Sequence, residues 1–307
     1  MDLKVFSKKE LLLVLRALRA VAVANDKFTK AERDFIESVA RIHDVEIDAD
    51  FIDPITLDEV ARGLVSAHAR KRAVQLAIAM ALVEGQPSEA TQRAVQNLAS
   101  ALGIAEPGLR VLYDMSHGHS LLARIEMARR MRSFAQTVPA FPGFFKAALP
   151  FLGIGENPAV AARYRALSAS APGSFGKALY DHFTNNGFPF PGEKNGIPEA
   201  MIFHDVGHVL SGYSVEPDGE IQQAAFQAGF LRQDGFFFLL FGIIQFHLGM
   251  RLTPIAKAQR GLFDVKRVLR AAERGARCRV DLERFDPLAH AGVPLDVLRA
   301  ELGVPPA

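Results

Sequence analysis

An all-α fold of two helical domains is predicted for this chain, on three observations. Apolar residues recur at helical spacing, beginning with Leu11, Leu12, Leu15, Leu18, Val21 and Ala22. Helix-start chemistry precedes such stripes, as in the capping box of Thr29 and Glu32 ahead of Phe35, Val39 and Ile42. Patterns that alternate as a strand would are scarce throughout.

A chain of 307 residues suits one large or two ordinary domains. With 49% hydrophobic and 23% charged residues it can bury a sizeable core. Cys278 is the only cysteine, which excludes an internal disulfide and a thiolate metal cluster and fits a reducing, cytoplasmic setting. The first residues lack the apolar core and small-residue cleavage site of a signal peptide. A net charge of +2 makes no bulk case for nucleic acid. Two basic clusters stand out: Arg124, Arg129, Arg130 and Arg132, and then Lys266, Arg267, Arg270, Arg274, Arg277 and Arg279. They read as solvated helix faces, with contact to anionic lipid or phosphate as the sharper alternative.

Residues 1–115 form the first predicted domain. A weak repeat runs through it, each unit being helix, acidic turn, helix. The first turn, Asn25 to Lys30, leads into a helix ending near Ile42. The second, Val83 to Ser88, leads into one ending near Leu102. On these residues the segment resembles the TerB-like (tellurite-resistance B) helical fold over roughly 5–113, which implies docking of protein partners or regulation. The family's acidic turns are only partly matched. Asp26 and Glu32 are present with Lys27 where a glycine is usual, and Glu84 and Gly85 are followed by a displaced Glu89. Capping and solvation are preferred to metal binding for these acids.

Residues 116–160 connect the two domains. Ser116 to Ser120 is a polar break. His117 and His119, two apart, diverge on a helix and read as loop or cap residues. A basic helix follows, and then a block containing Phe134, Pro139, Phe141, Pro142, Phe144, Phe145, Pro150 and Phe151. Packing between domains is its plain explanation, and a lipid-facing surface is the alternative.

The second predicted domain spans 161–307 and contains the chemistry. A helix near Pro158–Ser168, a second running to His182, the turn Asn185-Asn186-Gly187 and a Pro/Gly loop lead to Phe203-His204-Asp205-Val206-Gly207-His208. His204 and His208 are four apart and share one helix face. Asn195 and Gly196 are candidate N-caps, Pro198 suits the first turn and Gly212 the stop. Tyr213 to Glu216 then form a loop, and Pro217 opens a helix with Glu220 in its first turn. In an antiparallel helix pair His208 and Glu220 lie at similar depth and converge on one ion. Asp205, roughly 100° round the helix from His204, is either a ligand or a group that supports one. Helical histidines are also often just hydrogen-bonded core residues, but the placement of Glu220 argues against that here.

The stretch Phe236 to Gly249 is nearly all apolar, yet shorter than the roughly 20 residues that span a bilayer. It reads as a buried helix that can line an apolar cavity, with His247 a satisfied core histidine. Basic helices and a short tail helix, Leu295 to Leu302, close the chain.

The order Pro172-Gly173-Ser174-Phe175-Gly176, Asn185-Asn186-Gly187-Phe188, the H-D-x-x-H motif with eleven residues between it and Glu220, and the terminal Leu298 to Val304 resembles the fourth coenzyme Q (ubiquinone) biosynthesis protein family, over about 120–307. The resemblance implies a mostly helical fold and metal ligands at His204, Asp205, His208 and Glu220, the same four residues being the catalytic candidates. It implies zinc, and a polyprenyl quinone precursor or other isoprenoid lipid in an apolar cleft; iron is the other option, because zinc has no redox chemistry for an oxidative step. It also implies oxidative decarboxylation at ring carbon one, and peripheral contact with the cytoplasmic face of the inner membrane. A homodimer is a further option. Met201-Ile202-Phe203 before the motif and the TerB-like domain depart from the usual pattern. A non-catalytic lipid-binding scaffold with a structural metal is the competing reading. A metal-dependent phosphohydrolase using Asp181 and His182 ranks last.

Overall fold

The computed structural model describes residues 1–137, 156–232, 234–253 and 256–305. Fourteen α-helices and no strand occur among them, as the sequence predicts. Pro139 to Phe151 of the Phe/Pro/Gly block lie outside the described residues.

Helix α1 (Lys8–Ala22) starts on a capping box of Ser7 and Glu10. It buries Leu11, Val14, Leu15, Leu18 and Val21, while Leu12 points outward, because one step from Leu11 turns a side chain about 100° away from the core face. The predicted box of Thr29 and Glu32 opens α2 (Lys30–Ile42). Glu32 is therefore committed to capping, and Glu89 pairs with Arg93. Helices α3 (Leu57–Gly63), α4 (Ala67–Ala81), α5 (Glu89–Leu102) and α6 (Gly108–Ser116) complete the N-terminal segment. His117 caps α6 and stacks on Tyr113, one turn back.

Helix α7 (Ser120–Thr137) carries the first basic cluster. Arg130 is not on a solvated face as expected. It is 3% exposed, lies 3.1 Å from Asp234, and faces the buried Glu106 and the ring of Phe237. Phe134, one turn on, is buried against Phe203, Phe237 and Phe238. Helices α8 (Pro158–Arg165) and α9 (Phe175–Asn185) follow, then α10 (Phe203–Ser211), α11 (Pro217–Phe230), α12 (Phe236–Phe246), α13 (Val265–Ala276) and α14 (Leu295–Leu302).

Helix α12 is the expected apolar helix, and ten of its eleven residues are buried. It packs along α11, and each fully buried Phe or Leu contributes on the order of 2 kcal/mol. Among the described residues one apolar cluster takes in side chains from Met1 to Val304. Helix α13 packs against α2, with Lys266 3.0 Å from Asp34. His247 is the satisfied histidine predicted: Nε2–H donates to the Val83 carbonyl at 2.9 Å and Nδ1 accepts from Phe263 N–H at 3.2 Å. That bond ties the end of α12 to the acidic turn after α4.

Candidate metal centre

The segment before α10 differs from the expected cap. Asn195 is the left-handed residue of a turn (φ 62°), and a 3₁₀ turn, Glu199–Met201, stands between Pro198 and the helix. Gly196 is required there because a Cβ would lie 2.2 Å from the Phe190 carbonyl oxygen. Helix α10 then begins without a side-chain cap, since Ile202 occupies that position. Its end is as predicted. Gly212 takes the left-handed conformation (φ 79°) and donates to the His208 carbonyl. Pro217 opens α11 with Glu220 in the first turn.

This hairpin brings three donors together. His204 Nε2 and His208 Nε2 are 3.3 Å apart. Glu220 spans them, with Oε2 3.5 Å from His204 and Oε1 3.5 Å from His208. The far side of each imidazole is tied back. His204 Nδ1–H donates to Gln227 Oε1 at 3.1 Å, and His208 Nδ1–H donates to the Tyr213 carbonyl at 3.0 Å. Those bonds select the tautomer whose Nε2 carries a lone pair. Two lone pairs 3.3 Å apart, facing a carboxylate, call for positive charge between them, so the donor set fits a divalent cation.

Without an ion, a proton on His204 meets the same demand for positive charge. Partial burial opposes the charged form of His204, but the hydrogen bond and charge of Glu220 prevail and raise its pKa to about 9. Burial likewise works against ionised Glu220, yet the two imidazoles hold its carboxyl well below the usual carboxylate range. His208 is 2% exposed and Glu220 16%, whereas the His204 side chain is 32% exposed, so the centre is open on that side.

Asp205 stands apart from this trio, whose donor atoms lie within 4.8 Å of one another. Its Oδ1 is 2.9 Å from His182 Nε2 on α9, with both side chains more than nine-tenths buried. The step of about 100° round the helix turns it to α9 while His204 and His208 face α11. The His182 ring in turn lies over His208, with centroids 5.6 Å apart. A pocket of about 680 Å³ opens beside α9, lined among others by Phe183, Phe188, Arg165 and Lys194. Phe188 borders it, and His182 touches Phe188 on one side and His208 on the other. The apolar cleft expected along α12 is not this pocket, whose lining is mixed and comes from other elements.

Several supporting residues escaped the sequence reading. Gln223 and Gln227 follow Glu220 at i+3 and i+7, a spacing that places all three on the face turned to α10. Gln223 donates to the His204 carbonyl and accepts from Ser211 Oγ, crosslinking the pair. His182, which the sequence offered only as a phosphohydrolase candidate, comes from a separate helix and pairs with Asp205, a contact no spacing signals.

Fold and site together define a helical protein with a candidate divalent-metal centre of two histidines and one glutamate. No family model matches the chain, and no curated protein matches it.

Proposed function

We propose that this chain is a metal-dependent enzyme of the ubiquinone-biosynthesis type, in which His204, His208 and Glu220 bind one divalent ion that acts on a prenylated quinone precursor. The observation that carries the metal reading is the convergence of three donors whose two imidazoles are both fixed at Nδ1. Two histidines and a carboxylate suit zinc and equally suit iron(II). An ion held there supplies Lewis acidity toward a carboxylate or phenolate oxygen.

The chain's own residues do the rest. Gln227 and the Tyr213 carbonyl orient the imidazoles, and the Asp205–His182 pair buttresses the hidden face of His208. Phe188 offers apolar surface to a ring or tail and Lys194 a cation to an acid group, while Arg165 is paired with Glu193. The substrate class rests on the resemblance of the H-D-x-x-H motif and its flanks. So does the proposed place of the protein, cytoplasmic with peripheral contact at the inner membrane. No described helix is long and apolar enough to cross a membrane.

The competing scaffold reading keeps the same ion as a structural clip. The exposure of His204 favours a reactive centre, because a structural site closes its shell. Metal analysis and native mass spectrometry of the purified protein test both. One equivalent of zinc or iron is expected, lost in Glu220→Ala. Turnover of a prenylated aromatic acid by the wild type but not by Glu220→Ala supports the enzyme. Bound metal with no turnover, and loss of helicity on chelation, would select the scaffold.

A further inference from the structure

The last carbonyls of α10 are satisfied in an unusual way. A helix leaves its final C=O groups without intrahelical partners. Here the His208 carbonyl accepts from Gly212 N–H, and the next three are taken by two arginines from distant helices. Arg299 on α14 donates through Nη2 to the Val209 carbonyl at 2.8 Å and through Nε to the Leu210 carbonyl at 2.9 Å. Arg274 on α13 donates through Nη2 to the Ser211 carbonyl at 3.0 Å. Its guanidinium lies 4.9 Å from the centroid of Tyr213 and is anchored on the Pro305 carbonyl. Arg274 is only 4% exposed, in the middle of a basic cluster that reads from sequence as a solvated face.

We infer that Arg274 and Arg299 are positioning residues for the metal centre, so that ion binding at α10 and docking of the C-terminal helix α14 are thermodynamically linked. The inference rests on the metal reading above. Its physical path is short. Helix α10 has nine residues, too few to persist without tertiary support. The two guanidinium groups sit at the negative end of its dipole and fix the turn through Gly212 to Tyr213. The Tyr213 carbonyl is the group that holds His208 Nδ1. Releasing the turn therefore frees the His208 ring to leave the converging position. Arg299 spans two successive carbonyls with one planar fork, a geometry a lysine lacks.

Linkage makes the effect reciprocal: whatever α14 docking contributes to ion affinity, the ion returns to α14 docking. The test uses the full chain, zinc alone as the probe, and two readouts that need no substrate. Arg299→Ala is expected to weaken zinc about tenfold, the scale of losing a group that orients a ligand. Amide exchange across residues 295–304 is expected to slow when zinc binds the wild type. Leu18→Ala, which empties a buried site on α1 and leaves α14 and both arginines in place, controls for general destabilisation. Zinc affinity unchanged in Arg299→Ala overturns the inference, as does an equal loss in a Leu18→Ala protein of matched stability. A wild type that binds no zinc removes the metal reading itself, and with it this linkage, a result visible before any variant is made.

Discussion

Gly207 on α10 lies so close to Gln223 on α11 that a Cβ at position 207 would fall 2.0 Å from Gln223 Nε2. Gln223 is fully buried and bonded at both ends of its amide, to the His204 carbonyl and to Ser211 Oγ. Helix propensity alone favours alanine over glycine here by roughly 1 kcal/mol. Overpacking at the contact outweighs it, at about 1–3 kcal/mol, and displaces the amide from both partners. Gly207→Ala is thus expected to lower the melting temperature and weaken zinc binding together, with Gly207→Ala/Gln223→Ala regaining part of the loss. A stabilised Gly207→Ala protein would sink this account of the helix pair.

Gln227 fixes His204 on its far side. Gln227→Ala should weaken zinc about tenfold while leaving the melting temperature of the metal-free protein nearly unchanged. Calorimetric titration beside a thermal melt separates the two. Unaltered affinity would mean that His204 is oriented by something else.

Arg130 joins α7 to both halves of the chain through Glu106 and Asp234. Removing it leaves Glu106 buried with only Gln75 Nε2 and Gly108 N–H as donors. Arg130→Met is expected to cost on the order of 3 kcal/mol in urea unfolding. Arg130→Met/Glu106→Gln should recover much of that, because the stranded charge is gone. Similar stability for the single and double variants would show that the charge pair is not what matters.

His247 makes stability depend on pH. Burial lowers its pKa from the ordinary 6.5, and the Val83 carbonyl and the charge of Glu84 only partly offset this. Protonation would also set a new Nδ1–H against the Phe263 N–H. The unfolded chain therefore binds a proton more readily than the folded one. The His247 contribution is complete above about pH 6.5 and is lost as pH falls through the lower folded value. Urea midpoints at pH 7.5 and pH 5.0 should fall further for the wild type than for His247→Gln. Parallel declines in the two proteins would refute it.

What the sequence determined by itself was local. Stripes at 3.6-residue spacing, the Thr29–Glu32 box, Gly212 as a stop and Pro217 as a start are all written within one or two turns of chain, and each appears in the structure. The convergence of His204, His208 and Glu220 was legible for the same reason: an i, i+4 pair and a four-residue loop leave the hairpin little freedom. Tertiary structure alone decided the rest. It turned Asp205 to His182, buried Arg130 and Arg274 out of faces that read as solvated, and brought Arg299 to the end of α10. Those contacts join residues 23 to 104 positions apart. No local propensity encodes them, because a polar group's partner is set by which buried donors and acceptors remain unsatisfied once the helices pack.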